Sequence, residues 1–300
     1  MKALQYENFG GPEVLSLVDI PEPATLPNTI KVKVAAIGLN PMDWLIMSNE
    51  ELAKNFGVQL PQIYGYDYSG EIEEVWSSDS PFKVGDRVFG STMKGSAAEY
   101  ILVDPAEINL IPDNLSDEIA ATISIAGSTA IDVIKKASIT STDTVLIGGA
   151  AGGVGVFAIQ LAKLKGASVI GTASDSTRDF LTSFGVKQVA YGKGLTQRVA
   201  GEKITAAIDL YSHEVINTAI ELGVSVNKMA TVIGFPMPPE GVSYATGSNT
   251  KPEEMEMLAN QIASGDVTVP IEKTYSISEF EKAIQNSMDR HIHGKLVLHF

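Results

Sequence analysis

The pattern of apolar and polar positions changes near residue 115 and again near residue 266. Before residue 115, short apolar stretches separated by Pro and Gly predict β-strands joined by tight turns. Between the two points, strand-like and helix-like periods alternate, which is typical of a doubly wound parallel sheet. After residue 266 the β pattern returns. We therefore expect two domains, residues 1–115 with 266–300 and residues 116–265.

The same pattern predicts individual elements along the chain. In the first domain it predicts strands at 2–6, 29–37, 69–76, 87–90 and 97–103. In the second it predicts a helix at 117–135 and strands at 145–147, 169, 189, 206–210 and 229–233. The carboxyl-terminal segment predicts a strand at 271–275, a helix from 278 and a strand at 295–299.

A glycine-rich run follows the apolar stretch at 144–148 and precedes a helical pattern. Its spacing is Ala150-x-Gly152-x-x-Gly155, so the first glycine of the usual dinucleotide fingerprint is an alanine. Glycine lets backbone N–H groups approach a pyrophosphate at the positive end of a helix. We expect Ala151, Gly152, Gly153 and Val154 to bind a dinucleotide. A glycine-rich crossover without a ligand is the alternative.

Composition and charge narrow the class of protein. The 300 residues carry a net charge of −14 and include no cysteine. The acidic balance argues against nucleic-acid binding, and the absence of cysteine excludes disulfides, thiolate catalysis and cysteine-ligated zinc. The first residues lack the apolar core of a signal peptide. We expect a cytoplasmic protein that binds a small molecule and neither nucleic acid nor membrane.

Several ordered motifs together resemble one known family. Besides the glycine turn, they are Gly38-Leu39-Asn40-Pro41-Met42-Asp43-Trp44, Gly65-Tyr66-Asp67-Tyr68-Ser69-Gly70, Val84-Gly85-Asp86-Arg87-Val88-Phe89-Gly90, Ala97-Ala98-Glu99-Tyr100 and Gly294-Lys295-Leu296-Val297-Leu298. They resemble the zinc-independent, quinone-oxidoreductase-like branch of the medium-chain dehydrogenase/reductase superfamily. The resemblance implies a GroES-like β-rich catalytic domain, a Rossmann domain with a parallel sheet, a nicotinamide cofactor and a homodimer. It implies hydride transfer to a quinone, an α,β-unsaturated carbonyl or a similar small electrophile.

Zinc-using relatives of this family place a cysteine where Asn40-Pro41 stands and a histidine where Tyr66 stands. Neither ligand is present, so the resemblance implies a protein without a metal site. His291 and His293 form the only close histidine pair, which we interpret as a turn before the last strand rather than a metal site.

The end of the second strand of the predicted parallel sheet indicates which dinucleotide binds. NAD-selective sites usually carry an acid there for the ribose 2′-hydroxyl, whereas this strand ends Gly171-Thr172-Ala173-Ser174. Ser174 and Arg178 suit a 2′-phosphate, and the resemblance places Tyr191 at the same phosphate. Asp175 is an unfavourable neighbour for a phosphate or a helix cap. We expect NADPH, with Ser174 as a cap and Arg178 on a solvated face as the alternatives.

Three residues are candidates for the reaction itself, in which side chains position the reactants more than they attack. Asn40 is placed near the nicotinamide by the resemblance, or it forms a turn before Pro41. Asp43 holds the ribose or a water, or caps the helix expected from Trp44. Tyr66 donates a proton to the substrate oxygen, or it is structural and solvent delivers the proton.

The resemblance implies four further cofactor contacts. Thr129 would lie near the phosphates or the nicotinamide, or bend a helix. Gly234 and Phe235 would line the nicotinamide pocket, or form a strand exit. Lys295 would contact the cofactor or the substrate entrance, or be a surface lysine on the last strand.

Two other functions remain open. A metal-free carbonyl or alcohol dehydrogenase would reduce a saturated ketone and leave the double bond of an enone intact. A nonenzymatic redox sensor would bind NADPH without turnover.

Overall fold

A computed structural model describes residues 1–77 and 79–300. The strands are β1 (Lys2–Tyr6), β2 (Leu15–Asp19), β3 (Ile30–Leu39), β4 (Gln62–Ile63), β5 (Asp67–Val75), β6 (Arg87–Ser91), β7 (Tyr100–Val103), β8 (Ile108–Leu110), β9 (Thr144–Gly148), β10 (Ser168–Thr172), β11 (Lys187–Val189), β12 (Ala206–Asp209), β13 (Met229–Thr231), β14 (Ser243–Tyr244), β15 (Ile271–Ser276) and β16 (Lys295–His299). The α-helices are α1 (Pro41–Ser48), α2 (Glu50–Asn55), α3 (Asp117–Ala120), α4 (Ser124–Lys136), α5 (Gly153–Leu164), α6 (Arg178–Ser183), α7 (Leu195–Val199), α8 (Glu214–Glu221), α9 (Pro252–Ser264) and α10 (Phe280–Asp289).

Contacts between Cα atoms divide these elements into two units. The first unit consists of Met1–Ile125, Met255–Asp266 and Ile271–Phe300, and the second of Ala126–Glu254 and Val267–Pro270. Residues 116–125 and 255–265, which the sequence pattern assigns to the second domain, thus lie in the first unit, and residues 267–270, which it assigns to the first domain, lie in the second. The physical reason is local packing: α3 contacts β3 and β5, and Asn114 Nδ2 donates a 2.7 Å hydrogen bond to the carbonyl of Ala263.

The second unit is built on one six-stranded sheet in the order β11-β10-β9-β12-β13-β14. Every pairing in it is parallel. The central strand β9 reads Thr-Val-Leu-Ile-Gly and is buried along nearly its whole length, as expected for a strand covered on both faces. The order 3-2-1-4-5-6 confirms the predicted doubly wound sheet. In such sheets the ligand binds where the strand order reverses, at the carboxyl ends of β9 and β12.

The first unit contains an antiparallel three-stranded sheet, β2-β1-β4, and a seven-stranded sheet. The larger sheet has the order β15-β16-β3-β5-β6-β8, and β7 pairs with β3 outside this path. The last strand, β16, pairs antiparallel with β3, so that Leu296 lies opposite Leu39. Alternate residues of β3, including Ile30 and Val32, fill the core. This register brings the end of the chain beside the junction of β3 and α1.

One predicted helix is divided in the structure. Residues 117–135 form α3 and α4, separated by a turn at 121–123. At Gly38 of β3, a Cβ atom would lie 2.9 Å from the carbonyl carbon of Ala121 and 3.1 Å from Cα of Thr122. The turn and the strand are therefore in direct backbone contact, which only glycine at position 38 permits.

Candidate functional site

The glycine turn between β9 and α5 meets three different steric requirements. Gly149 has φ +69°, a conformation that favours glycine, and a Cβ at Gly148 would lie 2.7 Å from Asp209 Oδ1. A Cβ at Gly155 would lie 2.5 Å from the carbonyl oxygen of Ala150 and even closer to that of Gly149. At Gly152, by contrast, the nearest atom would be 3.5 Å away. The turn is thus closely packed on its inner side and open at Gly152.

This geometry fits a pyrophosphate. Gly152 is the N-cap of the twelve-residue helix α5, and it has no side chain to cap the first helical N–H groups. Those groups have no partner within a helix and lie at its positive end. Gly153 and Val154 provide them, and Ala151 precedes the cap with 8% exposure. The four residues predicted to hold the cofactor phosphates are therefore brought together at one helix terminus.

The pairing of β10 with β11 brings Ser174 and Tyr191 to the same edge of the sheet. Thr172 lies opposite Val189, and each of the two candidates follows its strand by two residues. Ala173 N donates to the Val189 carbonyl, so this alignment continues past the strand ends. Ser174 Oγ lies 2.8 Å from Thr177 Oγ1, and Tyr191 is 57% exposed. Ser174 is the N-cap of a short 3-10 helix but forms no side-chain cap hydrogen bond.

Arg178 is exposed, as a phosphate-binding arginine must be, but it has an acidic partner. Its Nη2 lies 2.9 Å from Asp175 Oδ1, and both side chains are more than 60% exposed. Salt bridges between exposed groups are weak and screened. Asp175 therefore competes for the Arg178 guanidinium without burying it.

Two residues that the sequence patterns do not single out hold this edge together. Gln188 Nε2 donates to the carbonyls of Ala173 and Ser174. The guanidinium of Arg198, at the end of α7, donates to four carbonyls of the segment after β11. Neither residue is part of a recognisable sequence motif, because their partners are defined only once the strands are aligned.

Asp209, at the end of β12, is a third residue that the sequence analysis does not select. Its carboxylate accepts hydrogen bonds from the backbone N–H groups of Tyr211, Ser212 and Val215. It is 1% exposed, and burial raises its pKa although these hydrogen bonds act in the opposite direction. Asp209 thereby caps α8 and fixes the loop that lies against Gly148 and Gly149. An acid between an apolar strand and a helix is the signal that indicates such a cap.

The remaining candidates of the second unit differ in exposure. Thr129 is 8% exposed in α4 and packs against Gly247, where a Cβ would lie 3.2 Å from Thr129 Oγ1. Gly234 packs beneath the Tyr244 ring, and Phe235 is 92% exposed. Phe235 therefore offers an uncovered ring, whereas Thr129 is buried.

In the first unit, a buried polar network surrounds Asn40. Lys295 Nζ donates to the carbonyl of Leu39 at 3.0 Å and to Asn40 Oδ1 at 2.6 Å. Asn40 Nδ2 donates to Asp67 Oδ2 at 2.9 Å, and Asp67 also accepts from the Ile125 backbone N–H. Lys295 and Asn40 are 2% and 4% exposed. Both ends of the Asn40 amide are therefore engaged within the unit, and Lys295 is not a surface residue.

Asp43 lies next to this network as the third residue of α1. Its Oδ2 accepts from the backbone N–H of Asn40, the N-cap, so the two form a capping box. The helix begins at Pro41 rather than at Trp44. Asp43 Oδ1 is buried and has no hydrogen-bond partner among the residues that the structure describes.

Burial shifts the ionisation of all three charged groups of the network. It raises the pKa of Asp43 to about 8 and that of Asp67 to about 6, despite the nearby ammonium group. Burial also lowers the pKa of Lys295, and the two carboxylates partly offset this effect. A neutral Asp43 carries a proton on its carboxyl group at neutral pH.

Tyr66 is 2% exposed and packs with Ile46, Ala53 and Val58. Burial raises its pKa, and the neighbouring Tyr6 and Asp43 raise it further. Tyr64 is similarly buried, and its pKa is also raised by burial. The phenol of Tyr66 therefore remains protonated at every physiological pH.

The donor set at the positions where zinc-using relatives hold a metal does not fit zinc. Asn40 has a neutral amide whose oxygen is taken by Lys295, and Tyr66 has a protonated phenol. Within residues 1–77 and 79–300, no group of three or more His, Asp or Glu side chains could hold a metal ion. No helix in the same part of the chain is both long and apolar enough to cross a bilayer.

Two protein families match the chain. The alcohol dehydrogenase GroES-like domain matches residues 26–113, and the zinc-binding dehydrogenase family matches residues 130–298. The first match confirms the predicted GroES-like domain, and the second spans the parallel sheet.

Individual relatives are quinone oxidoreductases. One from Sus scrofa is 39% identical over 176 residues, which cover 58% of this chain and 53% of the relative, or about half its length. A chloroplast envelope quinone oxidoreductase homolog from Arabidopsis thaliana is 29% identical, over 99% of this chain and 98% of the relative. The solved structure of a quinone oxidoreductase from Coxiella burnetii has a TM-score of 0.87 and 30% identity, with 100% of this chain and 99% of that one covered.

Proposed function

Since the chain belongs to the quinone-oxidoreductase-like branch of the medium-chain dehydrogenase/reductase superfamily and is therefore an oxidoreductase, we propose that it uses NADPH to reduce small electrophiles. The substrate class is quinones, α,β-unsaturated carbonyl compounds or related acceptors, and no zinc ion takes part. When bound, NADPH supplies the hydride. The observation that carries the proposal is the open glycine turn at the centre of a 3-2-1-4-5-6 sheet whose second strand ends without an acid.

The preference for NADPH follows from the chemistry of the strand ends. A carboxylate at the end of β10 would repel a 2′-phosphate, and Thr172, Ala173 and Ser174 provide none. Ser174 and Tyr191 offer hydroxyl groups at one edge, and Arg178 adds an exposed guanidinium. Asp175 reduces this preference because it pairs with Arg178.

In the first unit, we assign a proton-holding role to Tyr66 and a structural role to the network around Asn40. The raised pKa of Tyr66 keeps its hydroxyl protonated and able to donate a hydrogen bond to a substrate oxygen, while it makes the phenol a weaker acid. Lys295 and Asp67 hold the Asn40 amide in one orientation, and Asp43 anchors the start of α1. The residues of this site do not form a set of metal ligands, so no metal ion is held there to polarise the substrate oxygen. Such a site suits an acceptor that is already electron-poor.

We also propose a homodimer that forms through the edge of the parallel sheet. Strand β14 ends the sheet order and so presents an edge to a second copy, and the nearby Phe235 and Met237 are 92% and 75% exposed. Light scattering after size exclusion tests this: a mass near 32 kDa, that of one chain of 31.9 kDa, would contradict it.

The experiment that tests the function compares acceptors and cofactors. Loss of reduced-nicotinamide absorbance is followed with NADPH or NADH, with and without EDTA, against 1,4-benzoquinone, a short enone and a saturated ketone. We expect turnover of NADPH with the quinone or the enone, unchanged by EDTA. Turnover of the saturated ketone alone would instead indicate a carbonyl reductase, and NADPH binding without turnover would indicate a sensor.

A further inference from the structure

The segment after β11 is held by one side chain. Arg198 Nε donates to the carbonyl of Ala190 at 2.9 Å, and Nη1 to that of Lys193 at 3.0 Å. Nη2 donates to the carbonyls of Tyr191 at 3.1 Å and Gly192 at 2.7 Å. Four consecutive carbonyls, 190–193, therefore converge on a single guanidinium.

This convergence depends on both the arginine and the loop. A guanidinium has five N–H donors in a rigid plane, whereas a lysine ammonium has three donors on a flexible stem. Gly192 and Gly194 both have φ +90°, which lets the chain curl around the planar group. The segment is thus built to take one conformation when Arg198 is present.

The fixed segment presents Tyr191 beside Ser174. Both residues follow the aligned pair Thr172 and Val189 by two positions. From the β10 side, Gln188 Nε2 ties down the carbonyls of Ala173 and Ser174. Arg198 supplies the matching restraint on the β11 side, and the Tyr191 side chain remains more than half exposed.

We propose that Arg198 is a positioning residue for cofactor selection, which holds Tyr191 where its hydroxyl can bind the 2′-phosphate of NADPH together with Ser174. The inference rests on the proposed preference for NADPH. NADH lacks this phosphate, so loosening the segment should weaken NADPH and leave NADH nearly unaffected.

The test compares Arg198→Lys with the wild-type protein, with KM and kcat measured for both cofactors and one quinone. We expect KM for NADPH to rise about tenfold, while KM for NADH and both kcat values stay within about twofold. In Tyr191→Phe the ratio of KM for NADH to KM for NADPH should fall as it does in Arg198→Lys, and the double variant should add little to the larger single effect. Arg87→Lys is the matched control, because Arg87 makes two hydrogen bonds in the first unit and should leave both KM values unchanged.

Several results would overturn the inference. Equal rises in KM for NADPH and NADH would show that Arg198 only maintains the fold, and fully additive effects with Tyr191→Phe would separate the two residues. A wild-type protein that binds both cofactors equally would refute the NADPH preference and the inference with it. A wild-type preference that survives in Arg198→Lys would refute the inference alone.

A measurement on the wild-type chain covers the case in which Arg198→Lys does not fold. Hydrogen–deuterium exchange of residues 190–194 is compared at equal saturation with NADPH and with NADH. We expect slower exchange only with NADPH. Equal protection by the two cofactors, or none by either, would overturn the inference.

Discussion

In the first unit, Asn40, Asp43, Asp67 and Lys295 are each at most 4% exposed, whereas the Arg178 side chain of the second unit is 62% exposed and Tyr191 is 57% exposed. The buried group makes its hydrogen bonds between strands and a helix of the same unit, apart from Asp43 Oδ1, which has no partner among the described residues. In the exposed group, Arg198 and Gln188 bind only the backbone, and the tips of the loops remain accessible.

This difference separates stability from ligand binding. A change in the buried network leaves a charge or a polar atom without a partner, which costs folding free energy. A substitution at the exposed edge costs little folding free energy in the free protein. Its effect is on the affinity for a ligand. The comparison therefore predicts which measurement responds to each substitution.

The largest effect is expected for Lys295→Met. Without the ammonium group, Asn40 Oδ1 and the Leu39 carbonyl lose their donor and the two carboxyl groups lose their buried cation. We expect a loss of about 3–5 kcal/mol of unfolding free energy, measured by urea denaturation. Lys282→Met, at an exposed position of α10, is the control and should unfold like the wild type. Wild-type stability of Lys295→Met would contradict the structural role of the network.

The pH dependence of stability should differ between the units. The pKa of Asp43 is raised to about 8, so the native state holds a proton that the unfolded chain releases above its ordinary pKa of 3.8. Its contribution to stability is complete below about pH 4 and is lost as the pH rises to about 8. Asp43→Asn has no carboxyl group to titrate at this position. Between pH 5 and pH 7 its free energy of unfolding should therefore fall by about 2 kcal/mol less than that of the wild type.

Asp143 of the second unit provides the control for this prediction. Burial alone would raise its pKa, but hydrogen bonds from Lys228, Thr140 and Thr205 lower it to about 2. Its contribution is present above about pH 4 and disappears only as the pH falls towards 2. Between pH 5 and pH 7, the free energy of unfolding of Asp143→Asn should therefore change with pH as steeply as that of the wild type. Identical slopes for Asp43→Asn and the wild type would show that Asp43 is ionised in the folded protein.

Gly155→Ala should damage the second unit through its backbone. The new Cβ would meet the carbonyl oxygens of Gly149 and Ala150, which are backbone atoms and cannot rotate away. We expect a loss of about 1–3 kcal/mol of stability together with loss of NADPH binding. Thermal unfolding and cofactor titration measure the two effects. If both properties are retained, the turn does not have the tight packing described above.

The smallest effect is expected for Asp175→Asn, which should sharpen the cofactor preference. Loss of the carboxylate frees Arg178 and removes a charge that repels phosphate. KM for NADPH should fall about threefold while KM for NADH stays unchanged. Asp179→Asn, in the same helix as Arg178, removes an equal charge without freeing the guanidinium and serves as the control. An equal fall in both variants would exclude a specific role for the pair.

Local patterns predict much of the fold. The pattern predicts β1 and β16 at the bounds that the structure has, and continuous apolar runs mark β9 and β12. Helix α2 escapes prediction because it is short and gives little periodicity. Helix α1 is expected from Trp44, whereas it begins at Pro41. For α1, the Asn40, Pro41 and Asp43 start signal is interpreted differently, with Asp43 rather than Asn40 as the possible cap.

The candidate site is predictable only where its requirements are local. A glycine turn before a helix is a requirement of neighbouring residues, and so is a strand end without an acid. The contact between Asn40 and Lys295 joins positions 255 residues apart, and it depends on the pairing of β3 with β16. Arg198 likewise acquires four carbonyl partners only when the segment after β11 curls around it. No spacing in one sequence encodes such convergence.

The most direct test of the account is a calorimetric titration of NADPH into the wild-type protein and Gly152→Ala. A Cβ at Gly152 would meet only the Gly149 carbonyl oxygen, at 3.5 Å, so the fold should tolerate it. The same methyl group would stand at the second glycine of the fingerprint, where the absence of a side chain lets the backbone approach the pyrophosphate. For Gly152→Ala we predict an unchanged melting temperature and a loss of NADPH affinity of about tenfold or more. Equal affinity in the two proteins would contradict the assignment of this turn to the cofactor.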